Sequence, residues 1–554
     1  MKDRLRTLVR DALQRAVESG ELSLDSIPEP HLEVPREQGH GDLATNVAMS
    51  LAKSARCAPR QIAEKIVASI EDPEGLIERS EIAGPGFINF ALTPAAWRTR
   101  LRDIISAGDS YGSCDVGAGE RVQVEFVSAN PTGPLHIGHG RGAATGDAIA
   151  RILDAAGYSV EREYYVNDAG GQMRVLGRSV RARYLELCGC DVEFPEDGYP
   201  GAYVNDLAGE LRESEGDAWL ERDEDDAVAY MSRWAGERML ERIRADLSVF
   251  GIEFDHFTSE RAIREDGTVI AGIEALEQAG HCYREDGALL FRSTAFGDDK
   301  DRAVVKGDGE LTYFGSDIAY HRSKLERGFE RIVDVWGADH HGYVKRVRSA
   351  LEALGQPAER FRVVLVQIVN LTRDGVPVRM GKRTGTFVAL SDVIEEVGPD
   401  LARFFFLMRK SDAQLDFDLE LARRQTAENP VFYVQYAHTR IAGIFRQAEE
   451  KGVGAAVPDS DGLAPLSNED EIGLIKVLDE FPETVESAAL SYEPHRVVFY
   501  AQRLAGEFHR FYTRNKCVTD DPGLTGARLL LVGAVKQVIG RALTLVGVSA
   551  PERM

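Results

Sequence analysis

Long apolar runs are missing from this 554-residue chain. A membrane-crossing helix needs about 20 consecutive, mostly apolar residues, and no such stretch occurs. The first ten residues, Met1-Lys-Asp-Arg-Leu-Arg-Thr-Leu-Val-Arg10, are charged and helical in pattern. They lack the apolar centre of a secretory signal, so a cytoplasmic location without membrane attachment is expected. Cysteine is scarce: six residues stand at 57, 114, 188, 190, 282 and 517, with no CxxC pair. Cys188-Gly-Cys190 has no second pair to complete a zinc site, so no zinc and no metal held by protein ligands alone is expected, and the thiols should be reduced. Basic residues are outnumbered, 66 against 90 acidic, for a net charge of −24. That balance does not exclude a nucleic-acid partner, because a local basic surface is the relevant test. Acidic residues gather at 212–226, and basic ones at Lys345-Arg-Val-Arg348 and Arg423-Arg424. Internal repeats, low-complexity tracts and a Ser/His or Cys/His nucleophile arrangement are also absent. At this length the chain exceeds one core, and several domains are expected.

What is present is concentrated in Val124-Glu-Phe-Val-Ser-Ala-Asn-Pro-Thr-Gly-Pro-Leu-His-Ile-Gly-His139. A β-rich run over 122–127 breaks at a Gly/Pro turn, and a helical pattern follows from about Gly146 to Ala156. Strand, turn, then helix places a nucleotide at the carboxyl end of a parallel strand. The helix start offers backbone N–H groups and a positive dipole end to phosphates. His136 and His139, three apart, share a face and could both donate to phosphate oxygens. Gly138 lets an adenine ring approach the backbone. A satisfied loop histidine pair and a metal pair are the competing readings.

This segment resembles the first ATP-binding motif of class I aminoacyl-tRNA synthetases, in the form Ser-Ala-Asn-Pro-Thr-Gly-Pro-Leu-His-Ile-Gly-His of the arginyl-tRNA synthetase family. The resemblance extends over most of the chain. It implies a multidomain α/β plus all-α protein. Residues 1–112 would be a small α/β domain recognising the tRNA elbow, and 113–424 a Rossmann-like catalytic domain with a doubly wound parallel sheet and an insertion at about 190–300. Residues 425–554 would be a helical anticodon-binding bundle.

The first unit reads as helices over 2–19, 46–54 and 59–70, then a turn into a strand at Gly84-Pro-Gly-Phe-Ile-Asn-Phe90. The pieces Gly39-His-Gly-Asp-Leu-Ala-Thr-Asn46 and Gly84–Asn89 match the family's N-terminal extension, which implies tRNA contacts at His40 and Asn46. Asp42 is equally a good helix N-cap. Arg162-Glu-Tyr-Tyr-Val-Asn167 reads as a second parallel strand, and Asp168-Ala-Gly-Gly-Gln172 after it as an edge of the site, or as ordinary capping. The sheet is expected to resume with Ala303-Val-Val305 and continue through 331–336. Phe361 to Val369 suits a strand buried on both faces.

Arg379-Met-Gly-Lys-Arg383 resembles the second class I motif, KMSKS, with Arg379, Gly381 and Arg383 departing and Lys382 retained. The implied roles are ATP contacts from Pro131, Thr132, Gly133, His136, Gly138, His139, Met380 and Lys382. His136, His139 and Lys382 would stabilise charge during adenylate formation, with Mg²⁺ arriving on ATP. A guanidinium calls for a carboxylate and an aromatic face. Tyr313 and Asp317, four apart at a helix start, supply both, in a context resembling the family's arginine-binding segment. By the same resemblance Ser128 and Asn130 hold the amino and carboxylate groups, with Glu125 nearby. In the bundle, Tyr433, Tyr436, Phe508 and Tyr512 could stack on anticodon bases, or serve as core aromatics at helical spacing. The expected partners are L-arginine, ATP and tRNA(Arg), with the chain a monomer. A synthetase for another amino acid, a small nucleotidyltransferase using HxGH, and a catalytically inactive tRNA-binding protein are the alternatives.

Overall fold

A computed structural model describes residues 1–35, 39–378, 388–426 and 428–554. Met380 and Lys382 lie outside them. The centre is a five-stranded, all-parallel sheet of β1 (Arg121–Glu125), β2 (Ser159–Val166), β3 (His256–Ser259), β4 (Arg331–Gly337) and β5 (Phe361–Val366), in the order β5-β4-β1-β2-β3. The order reverses at β1, so the crevice at the carboxyl ends of β1 and β4 is the switch point where such sheets bind ligands.

Residues 122–125 of β1 are buried on both faces, as a central parallel strand must be. β5 is not that kind of strand. It lies at the sheet's edge with Arg362 exposed, and it ends at Val366. Val369–Arg373 belongs to a separate small sheet with Leu415–Asp418 and Val376–Pro377. The apolar run at 361–369 is therefore two strands broken at Gln367-Ile368.

After β1 the helix α1 runs Ile137–Ala155, nine residues earlier than its sequence pattern suggests. Glycines at 138, 140, 142 and 146 dilute its propensity by about 1 kcal/mol each. Two of them are there for packing. A Cβ at Gly140 would lie 2.5 Å from Leu390, and one at Gly146 2.2 Å from Phe126. Helix α2 (Gly171–Leu187) follows β2. Two further helices, Ala202–Glu215 and Glu224–Val249, pack Val204, Leu207, Met231 and Met239 against its Leu176 and Val180.

The stretch 190–300 is not one insertion, because β3 returns to the central sheet and pairs with Glu163 to Val166. Arg302–Val305 does not resume that sheet either. It forms a three-stranded antiparallel sheet with Cys282–Glu285 and Ala288–Phe291. Leu289, Phe291 and Val304 of this sheet cover Phe314 and Ile318 of α3 (Tyr313–Glu326). Helix α4 (His341–Ala353) links β4 to β5, and α5 (Pro399–Leu407) packs on α1.

The N-terminal helices Lys2–Glu18, Val47–Ala55 and Pro59–Ala68 cover a four-stranded antiparallel sheet, of which the sequence shows one strand clearly. From residue 430 the chain is helical. Its long members are α6 (Pro430–Glu450), α7 (His495–Arg514) and α8 (Pro522–Leu545). Among the described residues no helix is long and apolar enough to cross a membrane.

Candidate active site

β1 ends in a bend that ordinary residues avoid. Val127 and Ser128 both have positive φ, 68° and 40°. Left-handed backbone is costly for a β-branched valine and persists only where neighbours hold it. Ser128 is pinned on two sides: its Oγ donates to Glu125 Oε1 at 2.8 Å and accepts from the Tyr165 N–H at 3.1 Å. The bend turns Asn130 toward α2, where its amide donates to Gln172. Tyr203 seals the next turn, its hydroxyl donating to the Thr132 carbonyl at 2.8 Å and lying where a side chain at Gly133 would go. Pro131 and Thr132 are buried beneath it.

His136 is the N-cap of α1. Its Nδ1 accepts from the His139 N–H at 3.3 Å, and His139 Nδ1 accepts from the His136 N–H at 3.2 Å. The rings stack with centroids 3.6 Å apart. With both Nδ1 atoms accepting, each neutral ring carries its proton on Nε2, the tautomer that donates to a phosphate oxygen. A Cβ at Gly138 would sit 3.0 Å from the His136 ring, so only glycine fits beside it without displacement. Ala389 pairs with His136, and the Leu390 N–H donates to the Leu135 carbonyl at 2.7 Å. The described chain therefore resumes, after 379–387, against Leu135 and His136. Arg141, fully buried one turn on, donates to the carbonyls of Gln367, Lys410 and Ala413 at 2.8–3.0 Å. Burial lowers its pKa to about 10.

Tyr313 and Asp317 lie one turn apart at the start of α3, whose N-cap is Thr312. Tyr313 is more than half exposed and sets its hydroxyl against Gly170 of the loop after β2. The Asp317 carboxylate accepts from the Tyr343 hydroxyl. Burial pushes Asp317 up to about 6, against the pull of that hydrogen bond. Glu125 lies beneath, accepting from Tyr320 at 2.8 Å and from Lys324 as well as from Ser128. Ser128, Asn130, Glu125, Tyr313 and Asp317 thus all belong to the strand ends and helix start around β1, β2 and α3. Asp168 does not face the site as an available acceptor. It accepts from Ser259 Oγ at 2.6 Å and the Arg261 N–H at 2.9 Å, fixing the turn after β3. Asp339 and His340 form an exposed turn after β4.

Sequence reasoning missed Tyr343, Tyr320, Lys324, Tyr203 and Arg141. Each acts through a contact between elements distant in sequence. Only the helical spacing of Tyr313, Asp317, Tyr320 and Lys324 carried a signal, one face of α3.

In the bundle Phe508 is wholly buried, so its ring is core and offers no base-stacking face, a correction to its reading as a stacking aromatic. Tyr512 is 38% exposed, and Arg440 lies 4.7 Å over its ring and 4.5 Å over that of Tyr436. Tyr433 lines an open groove of about 660 Å³ with Arg503, His509, Arg510 and Arg514. In the N-terminal unit His40 and Asn46 are exposed. Asp42 does not cap a helix, because Asn46 holds that position. Its carboxylate accepts from the Leu92 N–H at 2.8 Å and pairs with Lys476 of the bundle.

Three family models match the chain in succession. Residues 3–92 match the arginyl tRNA synthetase N terminal domain. Residues 100–199 and 210–427 match the class I (R) tRNA synthetase catalytic domain, and 434–554 the DALR anticodon binding domain. The Arginine--tRNA ligase of Syntrophotalea carbinolica is 52% identical over 554 residues, covering all of both chains. That of Geobacter sp. strain M21 is 51% identical over 555, again covering both. The arginyl-tRNA synthetase structure from Thermus thermophilus is 22% identical, with a TM-score of 0.76 over 99% of this chain and 100% of that one, and so shares the fold. A parallel sheet with its switch point at β1, a histidine-capped helix after that strand, and full-length identity of about half to these ligases lead to one conclusion: the chain belongs to the arginyl-tRNA synthetase family of class I aminoacyl-tRNA synthetases.

Proposed function

We propose that the chain is an arginine–tRNA ligase working as a cytoplasmic monomer. It joins L-arginine to ATP as arginyl-adenylate, releasing pyrophosphate, and passes the arginyl group to the 3′-terminal adenosine of tRNA(Arg), releasing AMP. The observation that carries this reading is the half-buried Asp317 carboxylate one turn from Tyr313, at the carboxyl edge of the sheet that also bears the paired histidines. A carboxylate beside an aromatic face suits a guanidinium.

In the first step a carboxylate oxygen of arginine attacks the α-phosphorus of ATP, and the bond to the pyrophosphate oxygen breaks. The work required is in-line positioning and charge stabilisation. His136 and His139 would donate from Nε2 to phosphate oxygens, and Lys382, together with Met380 in the same motif, would act on the leaving side. Pro131, Thr132 and Gly133 would shape the nucleotide turn, and Gly138 the adenine contact. Ser128 and Asn130 would orient the amino acid's backbone groups, with Glu125 behind them. Among the described residues no three His, Cys, Asp or Glu side chains converge on a metal position. A magnesium ion would arrive with ATP and would help neutralise phosphate charge. In the second step a hydroxyl of the terminal adenosine attacks the acyl carbon and AMP leaves.

Residues 1–112 would meet the tRNA elbow through His40 and Asn46, with 113–424 catalytic. Residues 425–554 would bind the anticodon through Tyr433, Tyr436 and Tyr512. Arginine activation is expected to require bound tRNA. ATP–pyrophosphate exchange with each of the twenty amino acids, with and without total tRNA, tests the whole reading. Exchange with arginine alone, and only with tRNA, is the expected result. Exchange with another amino acid discards the pocket, and none under any condition discards the reaction.

A further inference from the structure

Three carboxylates stand in a row across the centre of the sheet. Strand register pairs Glu125 of β1 with Glu163 of β2 on one side and with Asp334 of β4 on the other. Paired positions in neighbouring parallel strands are about 4.8 Å apart and point to the same face. All three are buried, Glu163 and Asp334 completely. Left alone, such a row would not remain ionised.

The countercharges come from one side of α3 and the residue after it. Lys324 is wholly buried and donates to Glu125 Oε2 and, at 3.0 Å, to Asp334 Oδ1. Its ammonium lies 4.4 Å from the centre of the Tyr320 ring. The Tyr320 hydroxyl sits 2.8 Å from Glu125 Oε2 and 2.7 Å from Glu163 Oε1. Arg327 donates to Glu163, and Thr258 adds a hydroxyl at 2.7 Å. Both ring nitrogens of His321 face acceptors: Nδ1 lies 2.7 Å from the Asp317 carbonyl and Nε2 2.8 Å from Asp334 Oδ2. Two acceptors call for two N–H groups, hence an imidazolium. Burial and Lys324 press His321 downward, but Asp334 outweighs them and its pKa rises. The three buried anions thus meet Lys324, His321 and Arg327, the last shared at its rim with the half-buried Glu161, 2.7 Å away. Each buried carboxylate of the row has a cation beside it, and Asp317 above is the carboxylate left for a ligand's charge.

Resting on the arginine reading of the pocket, we propose that Lys324 is the positioning residue of amino-acid recognition. It fixes and neutralises Glu125, which in turn pins Ser128 in its left-handed bend, so that the substrate cation is drawn to Asp317. The chain of contacts is Asp334–Lys324–Glu125–Ser128, and Lys324 itself touches no substrate.

The test is a double-variant cycle read in tRNA-dependent ATP–pyrophosphate exchange. The wild-type protein is first shown to exchange with arginine alone; failure there removes the pocket reading before Lys324 is examined. Lys324→Met is expected to raise KM for arginine 30-fold or more while KM for ATP stays within twofold. In a Glu125→Gln background the same change should shift the arginine KM less than threefold, because the group it acts through is already altered. Tyr320→Phe removes one hydroxyl donor at nearly constant volume. It serves if Lys324→Met does not fold, with a 3–10-fold rise in arginine KM that likewise disappears beside Glu125→Gln. Multiplicative effects in the double variant, an equal rise in the ATP KM, or an unchanged arginine KM overturns the proposal.

Discussion

His136 and Ala389 pair across an antiparallel bridge, 253 positions apart in the chain. The first class I motif is thereby tied to Ala389 and Leu390, and the helix cap and the start of the helix at Leu390 share one support.

That arrangement separates two jobs of His136, capping and donating. His136→Asn keeps a side-chain oxygen able to accept from the His139 N–H, and asparagine is among the best N-caps. It removes the Nε2 proton. The expected outcome is an unchanged Tm with kcat for adenylate formation down about 10²–10³-fold, the usual cost of one lost transition-state donor. His136→Ala should lose the same activity and also about 1 kcal/mol of stability. Thermal melts beside pyrophosphate exchange check both; full activity in the asparagine variant refutes the donor role.

Arg403 of α5 joins four parts of the chain. Its buried guanidinium pairs with Asp147 of α1 and donates to the carbonyls of Phe250 at 3.0 Å and Val546 at 3.3 Å. Breaking a buried pair from one side costs about 3–5 kcal/mol where the charge left behind is uncompensated; Arg151 still pairs with Asp147 at 2.7 Å, so the cost here lies at the low end of that range. Arg403→Met should therefore unfold at much lower denaturant while keeping near-normal arginine and ATP KM values where it is still folded. A midpoint close to wild type would show that the pair contributes little.

The nucleotide turn was legible because its chemistry is contiguous: strand, Gly/Pro turn and two histidines lie within nineteen residues, Arg121 to His139. The acid layer was not, because Glu125, Glu163 and Asp334 become neighbours only once three strands are in register. Helix α1 begins nine residues before its sequence pattern, since its glycines oppose helix formation locally and two of them, Gly140 and Gly146, are explained only by Leu390 and Phe126. Phe508 and Tyr512, one turn apart on α7, looked equivalent. Which of them faces the core is decided by helices that the spacing does not reveal. The strand at 361–366 looked central from its apolar content, but sheet order alone puts it at the edge.

Gly146 sets two effects against each other. Alanine in a helix interior gains about 1 kcal/mol over glycine. Here its methyl would fall 2.2 Å from Phe126, a buried ring that also packs at a tilt on Phe254. Overpacking of this kind costs about 1–3 kcal/mol or more, and the 2.2 Å contact puts it at the upper end. Gly146→Ala is expected to be net destabilising, and Gly146→Ala with Phe126→Leu less so. Chemical denaturation of both resolves the balance. A more stable single variant would mean that the helix propensity wins.

Asp317 carries a pH signature with two faces. Its folded pKa, about 6 without ligand, lies above the unfolded value because burial disfavours the charge. The folded state then binds the proton more tightly. Above about pH 6 the ionised carboxylate costs stability in full, and the cost fades to nothing below about pH 4, where folded and unfolded forms are both protonated. Asp317→Asn should accordingly stabilise the ligand-free protein at pH 8, by at most about 3 kcal/mol, and not at pH 4. Function runs the other way. A guanidinium needs the anion, so kcat/KM for arginine should fall as pH drops through about 6, with Glu125, Glu260, His321 and Tyr343 as the neighbours that tune the midpoint. In Asp317→Asn that acid limb should vanish and kcat/KM for arginine should drop 10²-fold or more, the cost of leaving a buried cation unpaired. A variant that loses activity without gaining stability at pH 8 would show that the carboxylate is already compensated before arginine binds.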